Sequence, residues 1–277
     1  MQTRFPPDTK LAIPPLGEAW LELRWHLKEV GPPGFLQDPD YPFALGAFFG
    51  AVRDRYPHKT DLEASRAPLE LLPHIVRHQF WSAEGKWPVL QLGPGVASVN
   101  FTQPYSWGAF KTEALYLRSA LLEAYSGILP QLDVATLRYL NAEPFNFTEK
   151  DVLEFLRSNL NTTLILPKGL PGHFASKATP ASLNLRTTFD LTIPKGTGAL
   201  TLATGTRSLT PTSAVVEDLT NVTIWQLEVA SGGADAPHIA SDLDFSLWLD
   251  QAHSDIHEWF FSFIEGVLYN KYSGQGD

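Results

Sequence analysis

The stretch 76–145 constrains the fold more than any other part of this chain, because its turns and periodicities follow one another closely. Short apolar segments at 78–82, 87–92 and 96–101 are separated by two tight turns that contain glycine. Segments of this length joined by such turns are typical of hairpins. The stretch therefore predicts a three-stranded antiparallel meander.

A helix and a further strand follow the predicted meander. From 107 to 126 apolar residues recur at helical spacing. Ser106 is a suitable N-cap, because its hydroxyl can accept a hydrogen bond from a free backbone N–H, and Gly127 is a suitable C-terminal stop. Val134–Asn141 then returns as a strand.

Two more elements precede the meander. The odd-numbered positions of Ala19–Leu27 are all apolar, and this period of two predicts a strand with one buried face. The amphipathic pattern of Phe43–Tyr56 predicts a helix. We expect Pro57 to end that helix, because proline disfavours helical backbone in the residue before it.

The second half of the chain repeats this mixture of elements. Thr148–Asn159 is predicted to be a helix with Thr148 as its N-cap. A hairpin across the sequence PKGTG, a strand and a long aromatic-rich helix are predicted at Leu183–Ile193 with Ala199–Thr206, at Val222–Val229 and at Phe245–Tyr269.

The order of these elements predicts the fold class. Hairpins join neighbouring strands, and no regular alternation of strand and helix indicates a parallel sheet. We therefore expect an α+β fold, with antiparallel sheet and helices packed mainly on one face. Two similar halves, 1–147 and 148–277, and one continuous domain are both compatible with the pattern.

Composition narrows the class of protein. Hydrophobic residues make up 44% of the chain, which is ample for a packed core. The absence of cysteine excludes disulfides, thiolate catalysis and cysteine-based zinc sites. A net charge of −9 without a run of Lys and Arg disfavours nucleic acid as a partner. No apolar run approaches the roughly 20 residues that span a bilayer. Because the chain also starts without an apolar signal segment, we expect a cytoplasmic protein that does not enter a membrane.

Two histidine pairs have the spacing of metal ligands, His74 with His78 and His253 with His257, and the second pair is the candidate site. His253 and His257 stand four residues apart and so share one helix face, as two ligands of a zinc protease do. Ser254 stands where those enzymes have their glutamate base. The pattern assigns no third ligand, although Asp250 or Asp255 could serve as one. The other interpretation places His253 in a packing contact and His257 on the surface. We expect no metal and keep this pair as the alternative site.

Arg138 is a lone cation in an otherwise apolar strand. A buried guanidinium has to be paired, because an unpaired buried charge costs several kcal/mol. Glu22 and Glu143 are the predicted partners. An architectural salt bridge fits this position, and so does an arginine that binds the carboxylate or phosphate of a ligand.

Further candidates lie at the ends of predicted elements. Tyr105 and Trp107 flank the start of a helix, where they could form a recognition pocket or anchor the helix. Asn100 and Asn141 end adjacent strands, where asparagine most often belongs to a turn. The candidate binding residues are Arg24, Asn100, Tyr105, Trp107, Arg138 and Asn141. The candidate catalytic residues are Glu22, Arg138 and His253.

Common catalytic and cofactor signatures are missing from the sequence. Gly196-Thr197-Gly198 lies between two predicted strands and lacks the third glycine of a dinucleotide fingerprint, so it predicts a hairpin turn. There is no phosphate-binding Gly-x-x-x-x-Gly-Lys motif and no Gly-x-Ser-x-Gly nucleophile elbow. We therefore expect no cofactor, and the missing signatures disfavour an enzyme.

Four short motifs mark the centre of the chain: Gln91-Leu92, Val99-Asn100, Tyr105-Ser106-Trp107 and Leu137-Arg138-Tyr139-Leu140-Asn141. They resemble the "sporadically distributed" family of uncharacterised prokaryotic proteins. The resemblance runs from Pro15–Ala19, through Glu22 and Arg24, to the helix around His253, and its central block is the most specific part. The chain departs from the family pattern at Gly17-Glu18 and at Trp20.

The family resemblance implies a role without a mechanism. The family has no established activity, and its scattered occurrence implies carriage on mobile elements or near defence genes. We expect a non-catalytic binding protein with a protein partner or with self-association, such as an accessory, sensor or antitoxin-like component of antiphage defence. The surplus of Trp and Phe suits an interface. The alternative is a hydrolase or nuclease-like enzyme with its site around Glu22, Arg138 and His253.

Overall fold

The fold is known from a computed structural model, whose described part contains eleven strands and five α-helices. The described residues are 5–6, 9–68, 71–125, 132–146, 149–165, 182–208, 219–232 and 241–275. The strands are β1 (Leu16–Trp25), β2 (Lys28–Glu29), β3 (Leu36–Gln37), β4 (His58–Asp61), β5 (His78–Ala83), β6 (Lys86–Gly93), β7 (Val96–Phe101), β8 (Leu132–Pro144), β9 (Asn184–Thr192), β10 (Lys195–Ser208) and β11 (Leu219–Ser231). The helices are α1 (Tyr41–Val52), α2 (Trp107–Ala124), α3 (Val152–Asn159), α4 (Asp242–Ile264) and α5 (Val267–Ser273).

Nine of the strands form one antiparallel sheet. Their order is β4-β5-β6-β7-β1-β8-β11-β10-β9, and β2 pairs with β3 in a separate hairpin. This architecture confirms the predicted α+β class. Strand β8 pairs with β11, so the sheet is continuous across the predicted boundary between residues 147 and 148.

The meander is where the sequence placed it. Strands β5, β6 and β7 pair in order and differ from the predicted segments by at most one residue at an end. Gly85 and Gly95 both have positive φ, at 66° and 73°, which a residue with a side chain rarely adopts. The two turns therefore depend on glycine, as the sequence indicated.

The side chains of strand β1 alternate between the two faces of the sheet. Ala19, Leu21, Leu23 and Trp25 are buried on one face, which confirms the predicted period of two. The strand covers Leu16–Trp25 and is shifted towards the N-terminus of the predicted segment.

The helices pack on the face that buries these apolar residues. Helix α1 contacts it through the Phe48 ring, 5.2 Å from that of Phe80, and α2 through the Phe110 ring, 5.3 Å from that of Phe101. Helices α4 and α5 contact the same face, and α3 packs on α5. We call this the helix-covered face and the opposite one the open face. No described α-helix lies on the open face, as the sequence predicted.

The predicted N-cap of α2 is confirmed, whereas the predicted end of α1 is wrong. The Ser106 hydroxyl accepts a hydrogen bond from the Ala109 N–H at 3.4 Å, and α2 ends at Ala124. Helix α1 ends at Val52, four residues before the predicted end. The chain turns there, and Tyr56 donates its hydroxyl to the Glu113 carboxylate at 2.7 Å.

Two C-terminal helices differ from the prediction. Helix α3 starts at Val152 with Asp151 as its N-cap, accepting from the Leu153 N–H at 2.8 Å. The predicted cap, Thr148, lies outside the described residues. The predicted helix Phe245–Tyr269 is two helices, because Gly266 has φ 104°, which is not a helical conformation. Among the described residues, no helix combines the length and apolar character needed to cross a membrane.

The hairpin of β9 and β10 turns earlier than predicted. The turn is at Ile193-Pro194, so Gly196 and Gly198 belong to β10. At Gly198 a Cβ atom would lie 2.3 Å from the Trp259 ring. Glycine is therefore needed there for close packing of α4, and the prediction of a turn at Gly196-Thr197-Gly198 is wrong.

Candidate functional site

A row of charged side chains crosses the open face. Successive residues of a strand point to opposite faces, so Glu22 on β1 lies opposite the helix-covered Leu21 and Leu23. The pairing of the strands then brings Arg138 of β8 and Glu228 of β11 onto the same open face. Because these residues lie on neighbouring strands, they form a network and not isolated surface charges.

Arg138 is the centre of this row. Its Nε lies 2.9 Å from Glu228 Oε2, and one terminal nitrogen lies 3.5 Å from Glu22 Oε1. The guanidinium carbon is also 5.6 Å from the centre of the Trp20 ring, within the range of a cation–π contact. The side chain is 21% exposed, so the prediction of a paired arginine is confirmed.

Of the two predicted partners of Arg138, Glu22 is confirmed and Glu143 is wrong. Residue 143 is an odd-numbered position of β8 and faces the helices, because side chains alternate along a strand. There it accepts a hydrogen bond from the Tyr272 hydroxyl at 2.7 Å and pairs with Lys271. The main partner, Glu228, is 90 residues away in sequence, and only the pairing of β8 with β11 brings it close.

Two arginines hold the Glu228 carboxylate. Burial raises its pKa, but the hydrogen bond from Arg186, 2.5 Å away, and the pairing with Arg138 outweigh this effect. The pKa of Glu228 is therefore lowered below its ordinary value. Arg186 also lies 3.1 Å from the Thr201 hydroxyl, so the row extends to the edge strand β9.

Arg24 ends the row on the other side. Its Nε lies 2.9 Å from Glu22 Oε1, and its side chain is 42% exposed. Arg24 was a predicted binding residue, and the structure places it on the open face with Glu22 and Arg138.

A second polar group lies beside the charged row. The Asn100 amide donates to Glu18 Oε1 at 2.7 Å, and the Ser98 hydroxyl lies 2.8 Å from Asn100 Oδ1 and 3.0 Å from Gln91 Oε1. Burial raises the pKa of Glu18 despite the hydrogen bond from Asn100. Asn100 is therefore part of the open face, inside β7, and not in a turn.

The other predicted asparagine lies on the opposite side of the sheet. Asn141 is buried on the helix-covered face, where its amide donates to the Trp225 carbonyl oxygen at 3.4 Å. It occupies the interior of β8, so the turn interpretation is wrong here too. The structure does not bring Asn100 and Asn141 together.

Tyr105, Trp107 and His253 meet under the helices. The Trp107 ring stacks on that of His253, with centres 4.0 Å apart and planes 6° apart. The Tyr139 hydroxyl lies 3.0 Å from His253 Nδ1 and is hydrogen-bonded to the Tyr105 hydroxyl. On the helix-covered face, this cluster connects the start of α2 to β8 and α4. The contact fits Trp107 as an anchor of the helix.

The cluster keeps His253 uncharged. Burial, together with a smaller contribution from nearby His257, lowers the pKa of its imidazole to about 3, although Asp250 acts in the opposite direction. Burial also favours the uncharged form of the two phenols, so it raises the pKa of Tyr105 and of Tyr139. At neutral pH the three groups therefore form a neutral hydrogen-bonded chain.

The geometry of the histidine pair is that of a packed helix face. The two ring centres are 6.0 Å apart, and the His257 ring is 4.6 Å from that of Phe261. The Nδ1 atom of His253 is hydrogen-bonded to Tyr139. Within the described ranges, no group of three His, Asp or Glu side chains is placed to hold a metal ion.

The three predicted catalytic residues do not share a site. Arg138 and Tyr139 are neighbours in β8 and point to opposite faces. Glu22 joins Arg138 on the open face, whereas His253 contacts Tyr139 on the helix-covered face. The sheet itself separates the carboxylate and guanidinium from the imidazole.

Sequence reasoning missed several open-face residues. Trp20, Glu228 and Arg186 were not candidates, although Gln226 and Glu228 alternate with apolar residues in β11. That alternation was a usable signal for a face that is not buried in apolar contacts. Comparison with models of known protein families, with curated proteins and with solved structures found no match in any of the three.

Proposed function

We propose that this protein is a non-catalytic binding protein and that the open face is its interaction surface. One observation carries the proposal: the described helices all lie on one side of the sheet, while the other side presents the paired charges of Glu22, Arg138, Glu228 and Arg186. Because mutual hydrogen bonds hold these charges in one network, they present a fixed pattern that a partner with complementary charges can match.

The chemistry of the open face favours a protein partner. The row contains acidic and basic side chains in alternation, so it has no single sign that would attract a polyanion. The Trp20 ring lies among these charges, and aromatic and arginine side chains are enriched in protein interfaces. A polar protein surface with complementary charges fits this pattern.

The cellular role remains a separate proposal. An accessory, sensor or antitoxin-like component of a mobile-element or antiphage defence system is supported only by the resemblance of the central motifs to the "sporadically distributed" family. The hydrolase alternative requires Glu22, Arg138 and His253 in one site. Because these residues lie on opposite faces of the sheet, we do not propose it.

A pair of charge-reversal variants tests the proposed surface. Arg24→Glu changes an exposed charge on the open face, and Arg53→Glu makes the same change at the end of α1, away from that face. Proteins that co-purify with the tagged wild type from its own cells are quantified by mass spectrometry. We expect a partner that Arg24→Glu loses and Arg53→Glu retains, with both variants folded. Equal retention by both variants would contradict the proposal.

A further inference from the structure

Among the described residues, strand β9 is an edge of the sheet that no other element covers. It is nine residues long, and only Leu185 and Leu191 are half-buried in it, while the other seven residues are exposed. In the described part of the chain, nothing pairs with its outer side. Proteins usually block such an edge with proline, lysine or a bulge, but Asn184–Thr192 contains no Pro or Lys and pairs with β10 without a bulge.

The direction of the free backbone groups follows from two hydrogen bonds. The Thr204 N–H donates to the Leu183 carbonyl oxygen at 3.0 Å, on the side of β9 that faces β10. The Gly232 N–H donates to the Lys195 carbonyl oxygen at 3.2 Å, so odd-numbered residues of β10 face β11. Backbone groups alternate in direction along an antiparallel strand. The residues of β9 whose backbone points outward are therefore Asn184, Arg186, Thr188, Asp190 and Thr192.

The sequence of β9 is complementary to itself in one antiparallel register. When two copies of the strand face each other with Thr188 opposite Thr188, Arg186 lies opposite Asp190 of the second copy. Leu185 then lies opposite Leu191 of the second copy. Registers displaced by two residues place both charges opposite neutral side chains, and those displaced by four place like charges opposite each other.

We propose that two copies of this chain associate through β9, antiparallel and centred on Thr188, so that their sheets become one continuous sheet. In this register outward-facing residues meet outward-facing residues, and each such pair exchanges both backbone hydrogen bonds. The two-fold axis is perpendicular to the sheet, so the helices of both copies lie on the same side.

The charges of β9 are available for this contact. Asp190 is exposed, and no described cation lies within ion-pair distance of it. Arg186 ends the open-face row with a side chain that is 46% exposed, so an additional carboxylate can reach it. On the other face of the strand Phe189 is 45% exposed and would be covered by the second copy. Opposite charges that face each other across strands stabilise the pairing.

Sedimentation of the purified chain tests the association. We expect monomer and dimer to be in equilibrium at protein concentrations of about 1 to 200 µM, because an interface of a single strand pair is small and weak. Thr188→Pro removes an outward N–H that β10 does not use, so the monomer should fold and the dimer should be lost. Asp190→Arg places like charges opposite each other and should weaken dimerisation about tenfold. Asp54→Arg, an exposed aspartate at the end of α1, is the matched control and should have no effect.

Cysteine variants test the register, because the natural chain has no cysteine. Thr188→Cys should form a disulfide-linked dimer on mild oxidation, since facing Cα atoms are about 5.5 Å apart. Thr192→Cys should not, because its two copies would be about 27 Å apart at the rise of a β-strand.

Several results would overturn the inference. These are a monomer over the whole concentration range, a dimer that survives Thr188→Pro, and equal cross-linking of the two cysteine variants. Protection of the β9 amides from hydrogen exchange only when a different protein is added would also overturn it and would identify the edge as a site for another chain.

Discussion

Arg138 and Tyr139 are adjacent in sequence and belong to different environments. Arg138 joins the charges of the open face, and Tyr139 joins the neutral hydrogen-bonded cluster with His253. The difference arises from the alternation of side chains along β8. The effect of substituting a single residue therefore depends on the side chains that it contacts on its own face of the sheet.

Arg138→Ala should lower the free energy of unfolding by about 2 kcal/mol, because it leaves Glu228 buried with only Arg186 as its cation. Urea denaturation followed by circular dichroism measures this change. Arg24→Ala is the control, since an exposed ion pair contributes little. An Arg138→Ala protein as stable as the wild type would show that the pairing of Arg138 with Glu228 does not stabilise the fold.

Acid should destabilise the fold through His253. Its folded-state pKa of about 3 lies below the ordinary value of 6.5, so the unfolded chain binds more protons between these values. Stability is therefore complete above pH 6.5 and falls as the pH decreases towards 3. Between pH 7 and 5 the loss from this group is up to about 2 kcal/mol.

The variant His253→Gln should flatten this dependence, because glutamine does not titrate. Urea midpoints at pH 7 and pH 5 are compared for wild type, His253→Gln and His58→Gln, an exposed histidine of β4. The same loss on acidification in all three proteins would show that His253 is not the group responsible.

At the scale of elements, local signals predicted the strands of the meander and the start of α2, because glycine turns and a serine cap act within a few residues. The same signals failed where tertiary packing decides. Gly266 is a local stop signal, but the aromatic helical pattern continues past it to Tyr269, so the break between α4 and α5 was not predicted. Nothing local showed that Gly198 would be needed beside Trp259. The Asn100 and Asn141 side chains were assigned to turns for the same reason.

Two glycine substitutions should have opposite effects. Gly266 has φ 104°, so Gly266→Ala should lower stability by about 1 kcal/mol through backbone strain. Gly46 lies inside α1 with open space where a Cβ would be added, so Gly46→Ala should raise stability by about 0.5–1 kcal/mol. Thermal denaturation of both variants measures the difference. A stabilising Gly266→Ala would show that the chain continues as one helix through that residue.

At the scale of the whole molecule, the order of the strands creates the open face. The pairing of β8 with β11 brings Arg138 to Glu228 across 90 residues of sequence, which no local pattern could have predicted. The sequence did predict the antiparallel sheet and the helices on one side, because hairpin turns and helix periodicity are local. The sequence therefore predicted the sheet and helix layers of the molecule. Of the polar residues on the open face it identified only Glu22, Arg24, Asn100 and Arg138 as candidates.

Hydroxyl-radical footprinting of the partner-bound protein tests the central claim, because two tryptophans report on the two faces. Trp20 lies on the open face and Trp107 stacks on His253 under the helices. Binding should reduce the oxidation of Trp20 severalfold and leave that of Trp107 unchanged. Protection of Trp107 with no change at Trp20 would contradict the open face as the interaction surface.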